Sequence, residues 1–158
     1  YMLSEFQNTN YKLVIYGNGT KKNVLLRDSI ENKVNLELVN SIKNDDLIRV
    51  LSKSKYFILP SHFEGNPKSL LEAMSAGCIV LASNIENHKE IIEDGVDGFL
   101  FDLDEGSLFN KFENIKTFKE EKLSDISLAA TLKIKNHYSI EKIATEEKNI
   151  VLGLLNGW

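Results

Sequence analysis

Hydrophobic residues fall in short runs that are separated by longer amphipathic stretches along most of the chain. The apolar runs predict β-strands at residues 13–16, 34–39, 56–59, 79–82 and 98–101. Apart from the alternating run at 34–39 they are nearly continuous, as expected for strands that are covered on both faces. Apolar positions at helical spacing predict helices at residues 45–53, 67–76 and 87–94. This alternation is typical of an α/β fold with a Rossmann-like, doubly wound parallel sheet.

The pattern changes after residue 102, where strands stop and only helices are predicted. They cover residues 105–117, 119–136 and 139–156. The last one has an apolar stripe from Ile143 to Leu155 that has to lie against another surface. We therefore expect self-association through this C-terminal helix, or marginal solubility. Since no repeat or linker interrupts the chain, residues 1–158 are predicted to form a single domain.

Composition and charge exclude several classes of protein. The 158 residues are 42% hydrophobic and 27% charged, which is ordinary for a globular domain. The net charge of −4, with acids and bases mixed along the chain, does not favour a nucleic-acid partner. No apolar run approaches the roughly 20 residues of a membrane helix. The single cysteine, Cys78, has apolar neighbours, which predicts a buried structural thiol in a reducing, cytoplasmic compartment.

Sheets of this kind bind ligands at the carboxyl ends of their strands, so we expect the functional residues in the loops there. The loops there are residues 17–20, 40–44, 61–69 and 83–87. In the third loop, Asn66 is a good N-cap and Pro67 suits the first helical position. The backbone N–H groups of Lys68, Ser69 and Leu70 then lack intrahelical partners and are suited to a phosphate. The alternative is that the Asn66 side chain itself caps Ser69.

Two carboxylates flank this helix start. Glu72 lies one turn along the helix, on the face away from the core, and Glu64 lies in the loop ahead of it. Carboxylates would repel a phosphate but accept charge-assisted hydrogen bonds from hydroxyl groups on either side of it. A diphosphate with a sugar at one end and a ribose at the other has this arrangement. The alternative is a solvated helix residue and an ordinary loop acid.

The same residues resemble a known signature. Pro60-Ser61, Glu64-Gly65, Glu72-Ala73-Met74, Gly77 and residues 80–83 resemble the donor site of retaining glycosyltransferases with two Rossmann-like domains (the GT-B fold, family four). The hallmark of that family is two glutamates separated by seven residues, here Glu64 and Glu72. The resemblance extends over residues 11–102 and includes residues 90–100 and the Gly17-Asn18-Gly19 loop.

The resemblance implies a role for each matching residue. Glu64 would be the catalytic residue, binding sugar hydroxyls near the anomeric carbon, and Glu72 would accept hydrogen bonds from the ribose. The remaining donor-binding residues would be Gly65 and Asn66 at the sugar, Lys68, Ser69 and Leu70 at the phosphate, and Gly17, Asn18 and Gly19 along the diphosphate. For Lys68, a solvated surface lysine is the alternative. The nucleobase would lie near residues 40–43.

The resemblance also implies the reaction and its requirements. A nucleoside-diphosphate sugar, with UDP as the expected nucleotide, would donate its sugar with retention in surface glycan synthesis. No metal or other cofactor is expected, because cationic side chains and helix ends stabilise the diphosphate leaving group. The full-length protein would reach a glycan or lipid-linked acceptor through an N-terminal domain, and would lie in the cytoplasm, peripherally at the inner face of the membrane.

This sequence departs from the family pattern before Tyr11. Relatives have an earlier strand that ends in glycine-arginine, followed by a lysine, and this strand is central in their sheet. The chain is therefore expected to be a fragment that lacks this strand and the acceptor domain, and that binds donor without turnover.

Two other interpretations stay open at this point. One is a sugar-nucleotide epimerase or phosphorylase of similar architecture, and the other is a non-catalytic, flavodoxin-like interaction domain. A nicotinamide site is not expected, because the Gly17-Asn18-Gly19 triplet lacks the third glycine of that fingerprint. His62 and His88 lie near the predicted opening and are treated as ordinary loop histidines.

Overall fold

Strands and helices alternate in the computed structural model, which describes residues 10–138. The strands in that range are β1 (Leu13–Tyr16), β2 (Leu36–Val39), β3 (Tyr56–Leu59), β4 (Ile79–Ser83) and β5 (Phe99–Phe101). The helices are α1 (Lys22–Glu31), α2 (Asn44–Leu51), α3 (Lys68–Ser75), α4 (Glu86–Lys89), α5 (Ser107–Lys116) and α6 (Glu120–His137). The predicted α/β class is confirmed, and from β5 to residue 138 the regular elements are helices alone.

The strands are parallel but form two separate ladders. β1 pairs with β2, while β4 lies between β3 and β5. Within residues 10–138 no ladder joins β1 to β3, so each of them has one edge without a strand partner. The predicted sheet is thus divided at the place where the family resemblance puts an additional central strand.

Strand β4 is the centre of the core. All five of its residues are buried, because helices cover both of its faces. Val80 and Ala82 point to one face and pack in a cluster with α3 and the later part of α6. Ile79 and Leu81 point to the other face, in a cluster with α5 and the start of α6. The two-residue period of a strand thus divides a continuous apolar run between two cores.

Two glycines permit this packing around β4. Gly77 has φ of +84° and ends α3 in a Schellman motif, in which its N–H donates to the Met74 carbonyl and the Cys78 N–H donates to the Ala73 carbonyl. Gly98 lies directly beside β4. A Cβ at Gly98 would lie 2.6 Å from Val80 Cγ2, so only glycine fits there without displacing the strand.

The turn before β5 is connected to α6 by a mostly buried ion pair between Asp97 and Lys133. Asp97 is 5% exposed and accepts hydrogen bonds from the Glu93 N–H at 2.8 Å and from Lys133 Nζ at 2.6 Å. Asp94 accepts from the Leu100 N–H at 2.8 Å and pairs with Lys111 of α5. The turn is therefore held by charges from both α5 and α6.

Several predicted boundaries differ from those in the structure. The strand predicted at 34–39 begins only at Leu36, and the helix predicted at 87–94 occupies only residues 86–89. Residues beyond it form a turn that still buries Ile91 and Ile92, as their predicted inward position requires. Helix α1 is absent from the predicted helices. The apolar residues of α1 do not line up on one face of the helix, and Ile30 remains 78% exposed.

Cys78 is fully buried, as predicted for a structural thiol. Its Sγ donates to the Leu51 carbonyl at 3.2 Å, and burial raises the pKa of the thiol to about 11. The helix predicted at residues 139–156, and the self-association expected from it, lie outside the described residues. No helix in the described part of the chain is both long and apolar enough to cross a membrane.

Candidate functional site

The predicted donor-site residues lie in loops that follow the carboxyl ends of strands. The Gly17-Asn18-Gly19 loop follows β1, and residues 60–67 lead from β3 into α3. Residues 84 and 85 connect β4 to α4. Because β3 and β4 run parallel, their following loops meet at one edge of the three-stranded sheet.

Glu64 is held in place by hydrogen bonds to its side chain and to its backbone. Ser61 Oγ donates to Glu64 Oε1 at 2.7 Å, and Ser83 Oγ donates to the Ser61 carbonyl at 2.5 Å. Asn87 Nδ2 donates to the carbonyls of Glu64 at 2.6 Å and Gly65 at 3.1 Å. Residues from β4 and α4 therefore fix the loop that carries the predicted catalytic acid.

His88 is buried behind this loop and is not the ordinary loop histidine that the sequence suggests. Its side chain is 0% exposed, with Nδ1 lying 2.8 Å from the Ser83 carbonyl and 3.3 Å from Ser83 Oγ. A carbonyl only accepts, so Nδ1 carries the proton and Nε2 is an acceptor. Nε2 has no hydrogen-bond partner in the described structure. His62, in contrast, is exposed.

The start of α3 presents fewer free amides than predicted. The cap is Pro67, with φ −79° and ψ 62°, and the helix begins at Lys68 without any side-chain cap, so the prediction of Asn66 as N-cap is wrong. The Lys68 N–H donates to the Asn66 carbonyl and the Leu70 N–H to the Pro67 carbonyl, because the bend at Pro67 turns these carbonyls towards the first turn. Among the three predicted donors, the Ser69 N–H alone is without a partner in the described structure.

Glu72 lies one turn above this free amide and is largely withdrawn from water. Its side chain is only 14% exposed, so the alternative of a solvated helix residue is wrong. Glu72 Oε1 lies 3.4 Å from Nζ of Lys68, whose own side chain is 70% exposed. A mostly buried carboxylate thus has an exposed surface cation as its neighbour.

The glycine loop contacts the loop predicted to hold the nucleobase. The Gly17 N–H donates to the Val39 carbonyl at 2.9 Å, and Gly17 has φ of +148°, which favours glycine. Asn18 Nδ2 donates to Ser41 Oγ at 3.3 Å. Apart from the adjacent residues, no atom of residues 10–138 lies within 4 Å of the Cβ position at Gly17, Gly19 or Gly65, so these residues face open space within the described chain.

The predicted residues therefore form two groups. One contains Glu64, Gly65, Asn66, Lys68, Ser69, Leu70 and Glu72, and the other contains Gly17, Asn18 and Gly19. Within residues 10–138 no hydrogen bond or ion pair connects the two groups. In the same range, no three His, Cys, Asp or Glu side chains are grouped closely enough to hold a metal ion.

Sequence reasoning missed the residues that support Glu64, namely Ser61, Ser83, Asn87 and His88. Their loops were predicted to border the site, but serine and asparagine are common in any loop. The burial of His88 did have a signal, because His88 lies three and four residues before Ile91 and Ile92, the inward positions of the predicted helix.

Comparisons with known proteins agree with this architecture. Residues 2–130 match the protein family described as Glycosyl transferases group 1. A UDP-Gal:alpha-D-GlcNAc-diphosphoundecaprenol alpha-1,3-galactosyltransferase of Escherichia coli is 30% identical over 112 residues, which cover 70% of this chain and 28% of that protein. The capsular polysaccharide biosynthesis glycosyltransferase CapH of Staphylococcus aureus is 34% identical over 89 residues, or 53% of this chain and 24% of its own. The chain thus spans about a quarter of the length of these relatives.

Solved structures share the fold at lower identity. HepE of Anabaena, in complex with UDP and glucose, superposes with a TM-score of 0.84 at 16% identity, covering 96% of this chain and 43% of that one. A sucrose-phosphate synthase from Thermosynechococcus elongatus gives a TM-score of 0.84 at 16% identity, over 99% of this chain and 42% of its own. These superpositions confirm the predicted Rossmann-like fold.

Proposed function

Since this chain belongs to the Glycosyl transferases group 1 family, we propose that it binds the nucleoside-diphosphate sugar donor of a retaining glycosyltransferase, with UDP as the nucleotide. The observation that carries the proposal is the placement of two carboxylates, Glu64 and Glu72, before and after the unpartnered Ser69 amide. The names of the Escherichia coli relative and of the Anabaena complex, which mention UDP-galactose and UDP with glucose, support the choice of nucleotide.

The diphosphate would bind at the start of α3. The Ser69 N–H points out of the first turn, and the positive end of the helix dipole favours an anion there. Lys68 is exposed and close to the same turn, so it would leave Glu72 to pair with a phosphate oxygen. Glu72 would then accept hydrogen bonds from the ribose hydroxyls instead.

Glu64 would bind the sugar at the other end of the diphosphate. Its Oε1 already accepts one hydrogen bond, from Ser61, which leaves the rest of the carboxylate for sugar hydroxyls. In the transfer step, the bond between the anomeric carbon and the phosphate oxygen would break, an acceptor hydroxyl oxygen would bond to the same face of that carbon, and the hydroxyl proton would pass to the departing phosphate oxygen. Charge that develops on the leaving diphosphate would be stabilised by the Ser69 amide and Lys68, without a requirement for metal.

The whole protein would hold its acceptor in a further, N-terminal domain. Because the Escherichia coli relative is named for a diphosphoundecaprenol-linked acceptor, we extend the proposal to a glycan or lipid-linked acceptor. The full-length protein would then act in the cytoplasm at the inner face of the membrane, in the synthesis of a surface glycan. Residues 1–158 alone would bind donor without transferring the sugar.

Calorimetric titration of the chain with UDP and with UDP-glucose tests the proposal. Glu72→Ala should weaken both ligands by about 10- to 100-fold, the loss expected for a hydrogen bond to a charged group. Glu64→Ala should weaken UDP-glucose alone. Glu121→Ala, at an exposed position in the first turn of α6, is the matched control and should change neither affinity.

Three outcomes would contradict the proposal. Equal effects of Glu121→Ala and Glu72→Ala would show a general charge effect rather than contact with the nucleotide. Stronger binding of GDP than of UDP would exclude the proposed nucleotide. If a longer protein that includes this chain bound neither nucleotide, the interaction-domain interpretation would replace donor binding.

A further inference from the structure

We propose that His88, Ser83 and Ser61 form a buried hydrogen-bond relay that positions the carboxylate of Glu64. We call these three residues the Glu64 relay. The proposal rests on the proposed function, because it gives Glu64 its importance as the acid that contacts the donor sugar. The members of the relay touch no ligand themselves; they are positioning residues that act through Glu64.

The first step of the relay is fixed by the tautomer of His88. The Ser83 carbonyl, 2.8 Å from Nδ1, accepts only, so the Nδ1 proton points at Ser83. Ser83 Oγ, 3.3 Å from the same nitrogen, lies within reach of that proton as a second acceptor. His88 therefore acts as a donor towards Ser83.

The remaining steps have the same direction. The Ser83 hydroxyl proton is committed to the Ser61 carbonyl at 2.5 Å, and the Ser61 hydroxyl proton to Glu64 Oε1 at 2.7 Å. A serine hydroxyl has one proton to donate, so neither serine can reverse without losing its bond. The donors thus form an ordered series from His88 to Glu64, joined through the backbone of Ser83 and of Ser61.

The unpartnered Nε2 of His88 indicates that the ring matters for its other nitrogen, the Nδ1 donor to Ser83. Burying Nε2 without a partner is unfavourable, and an apolar side chain of similar size would avoid that cost. What an apolar ring cannot supply is the Nδ1 proton that holds Ser83. His88 thus leaves its Nε2 buried without a partner, while its Nδ1 holds Ser83, which in turn bonds to Ser61.

Glu64 needs this support because of where it lies. It is on the loop between β3 and α3, and its side chain has a single hydrogen bond within the described residues, from Ser61. Asn87 independently holds the backbone carbonyls of Glu64 and Gly65. A carboxylate that selects sugar hydroxyls has to be held to within about 0.5 Å, which a loop achieves only through such supporting bonds.

Donor binding provides the first test. In Ser83→Ala and His88→Phe, the affinity for UDP-glucose should fall by about 3- to 10-fold while the affinity for UDP is unchanged, because Glu64 contacts the sugar alone. His88→Asn should recover most of the loss, since its amide nitrogen takes the position of Nδ1. The control is Ser127→Ala, which removes a hydroxyl bonded to the Gly77 carbonyl in the same way, and should change neither affinity.

A second measurement needs no ligand. Three-bond NMR couplings across χ1 of Glu64 should report one rotamer in the unmodified chain and in Ser127→Ala, and averaged rotamers in Ser83→Ala. Unchanged couplings in Ser83→Ala, or averaging in His88→Asn as large as in His88→Phe, would overturn the relay. If Glu64→Ala leaves the affinity for UDP-glucose intact while these couplings change as expected, the proposed function fails and the relay stands.

Discussion

The two halves of the molecule are built from the same kind of elements but differ in how deeply they are buried. In the N-terminal unit, residues 11–39, the one buried residue is polar, Ser29 at 6% exposure, and Ile30 is 78% exposed. In the β4-centred half, residues 51–134, every residue of β4 is buried and both of its faces are covered. The apolar strand residues of β1 are therefore half-buried, whereas those of β4 are completely covered.

This difference bears on the proposed site. Glu64, Ser69 and Glu72 belong to the β4-centred half, whereas Gly17 and Gly19 belong to the N-terminal unit. Local opening is favoured where few apolar side chains are buried. We therefore expect the sugar end of the site to be preorganised and the glycine loop to adapt when the diphosphate binds.

The largest effect should come from shortening matched leucines in the two halves. Leu81 is 0% exposed, so Leu81→Ala should lower the free energy of unfolding by about 2–5 kcal/mol, through lost burial and the cavity left behind. Leu13 is half-buried at the margin of the same cluster, and Leu13→Ala should cost about 1 kcal/mol. Urea unfolding measures both variants. Equal losses would show that the N-terminal unit is as tightly packed as β4.

Matched glycines should give the next largest difference. Gly98→Ala places a Cβ 2.6 Å from Val80 Cγ2 and 3.2 Å from Ile92 Cγ2, and should cost about 1–3 kcal/mol through overpacking. Gly19→Ala meets open space and should stay within about 0.5 kcal/mol. Thermal unfolding compares the two variants. A neutral Gly98→Ala would mean that β4 can shift to make room.

The difference in the free energy of unfolding should be smaller for two variants that break ion pairs. Lys133→Met leaves Asp97 buried without its cation, and we expect a loss of about 1–2 kcal/mol. This is less than the roughly 3–5 kcal/mol of a fully buried pair, because the Lys133 side chain is 27% exposed. Lys12→Met removes the exposed pair with Glu37 at 2.5 Å and should not measurably change stability. Denaturant unfolding at low and high salt distinguishes the two, since salt should leave the Lys133 effect almost intact.

The last effect is confined to alkaline pH and arises at Cys78. Burial raises the pKa of this thiol from 9.0 to about 11, so the folded chain holds the proton more tightly than the unfolded chain. The stabilisation is therefore complete below pH 9 and is lost as the pH rises from 9 to 11. The difference in stability between the unmodified chain and Cys78→Ala should be constant below pH 9 and should shift against the unmodified chain between pH 9 and 11. Parallel curves across this window would show that the thiol is not perturbed.

The sequence predicted the fold well where one pattern determines one element. The runs at β3 and β4 are short, apolar and bounded, so their positions were predicted closely, and helices α5 and α6 were predicted to within a few residues. Helix α1 was missed because Val24, Leu26 and Ile30 lie partly in water, which leaves no clear apolar face.

At the site, the sequence identified which residues to consider but not how they are arranged. The family resemblance singled out Glu64 and Glu72, and the withdrawal of Glu72 from water became visible only in three dimensions. The true cap of α3 was missed because it depends on the backbone angles of Pro67. Asn87 contacts the Glu64 carbonyl across 23 residues of chain, and a contact of that kind leaves no local pattern.

The unequal burial of the two halves also has a consequence for how the chain is made. Ribosomes synthesise proteins from the amino terminus, so β1, α1 and β2 emerge before β4 exists. Until about 40 further residues have been added, Leu13 of β1 lacks the β4-centred core against which it packs in the folded chain. We therefore expect nascent chains that stop short of Ser83 to recruit chaperones, and those that extend past His137 to release them.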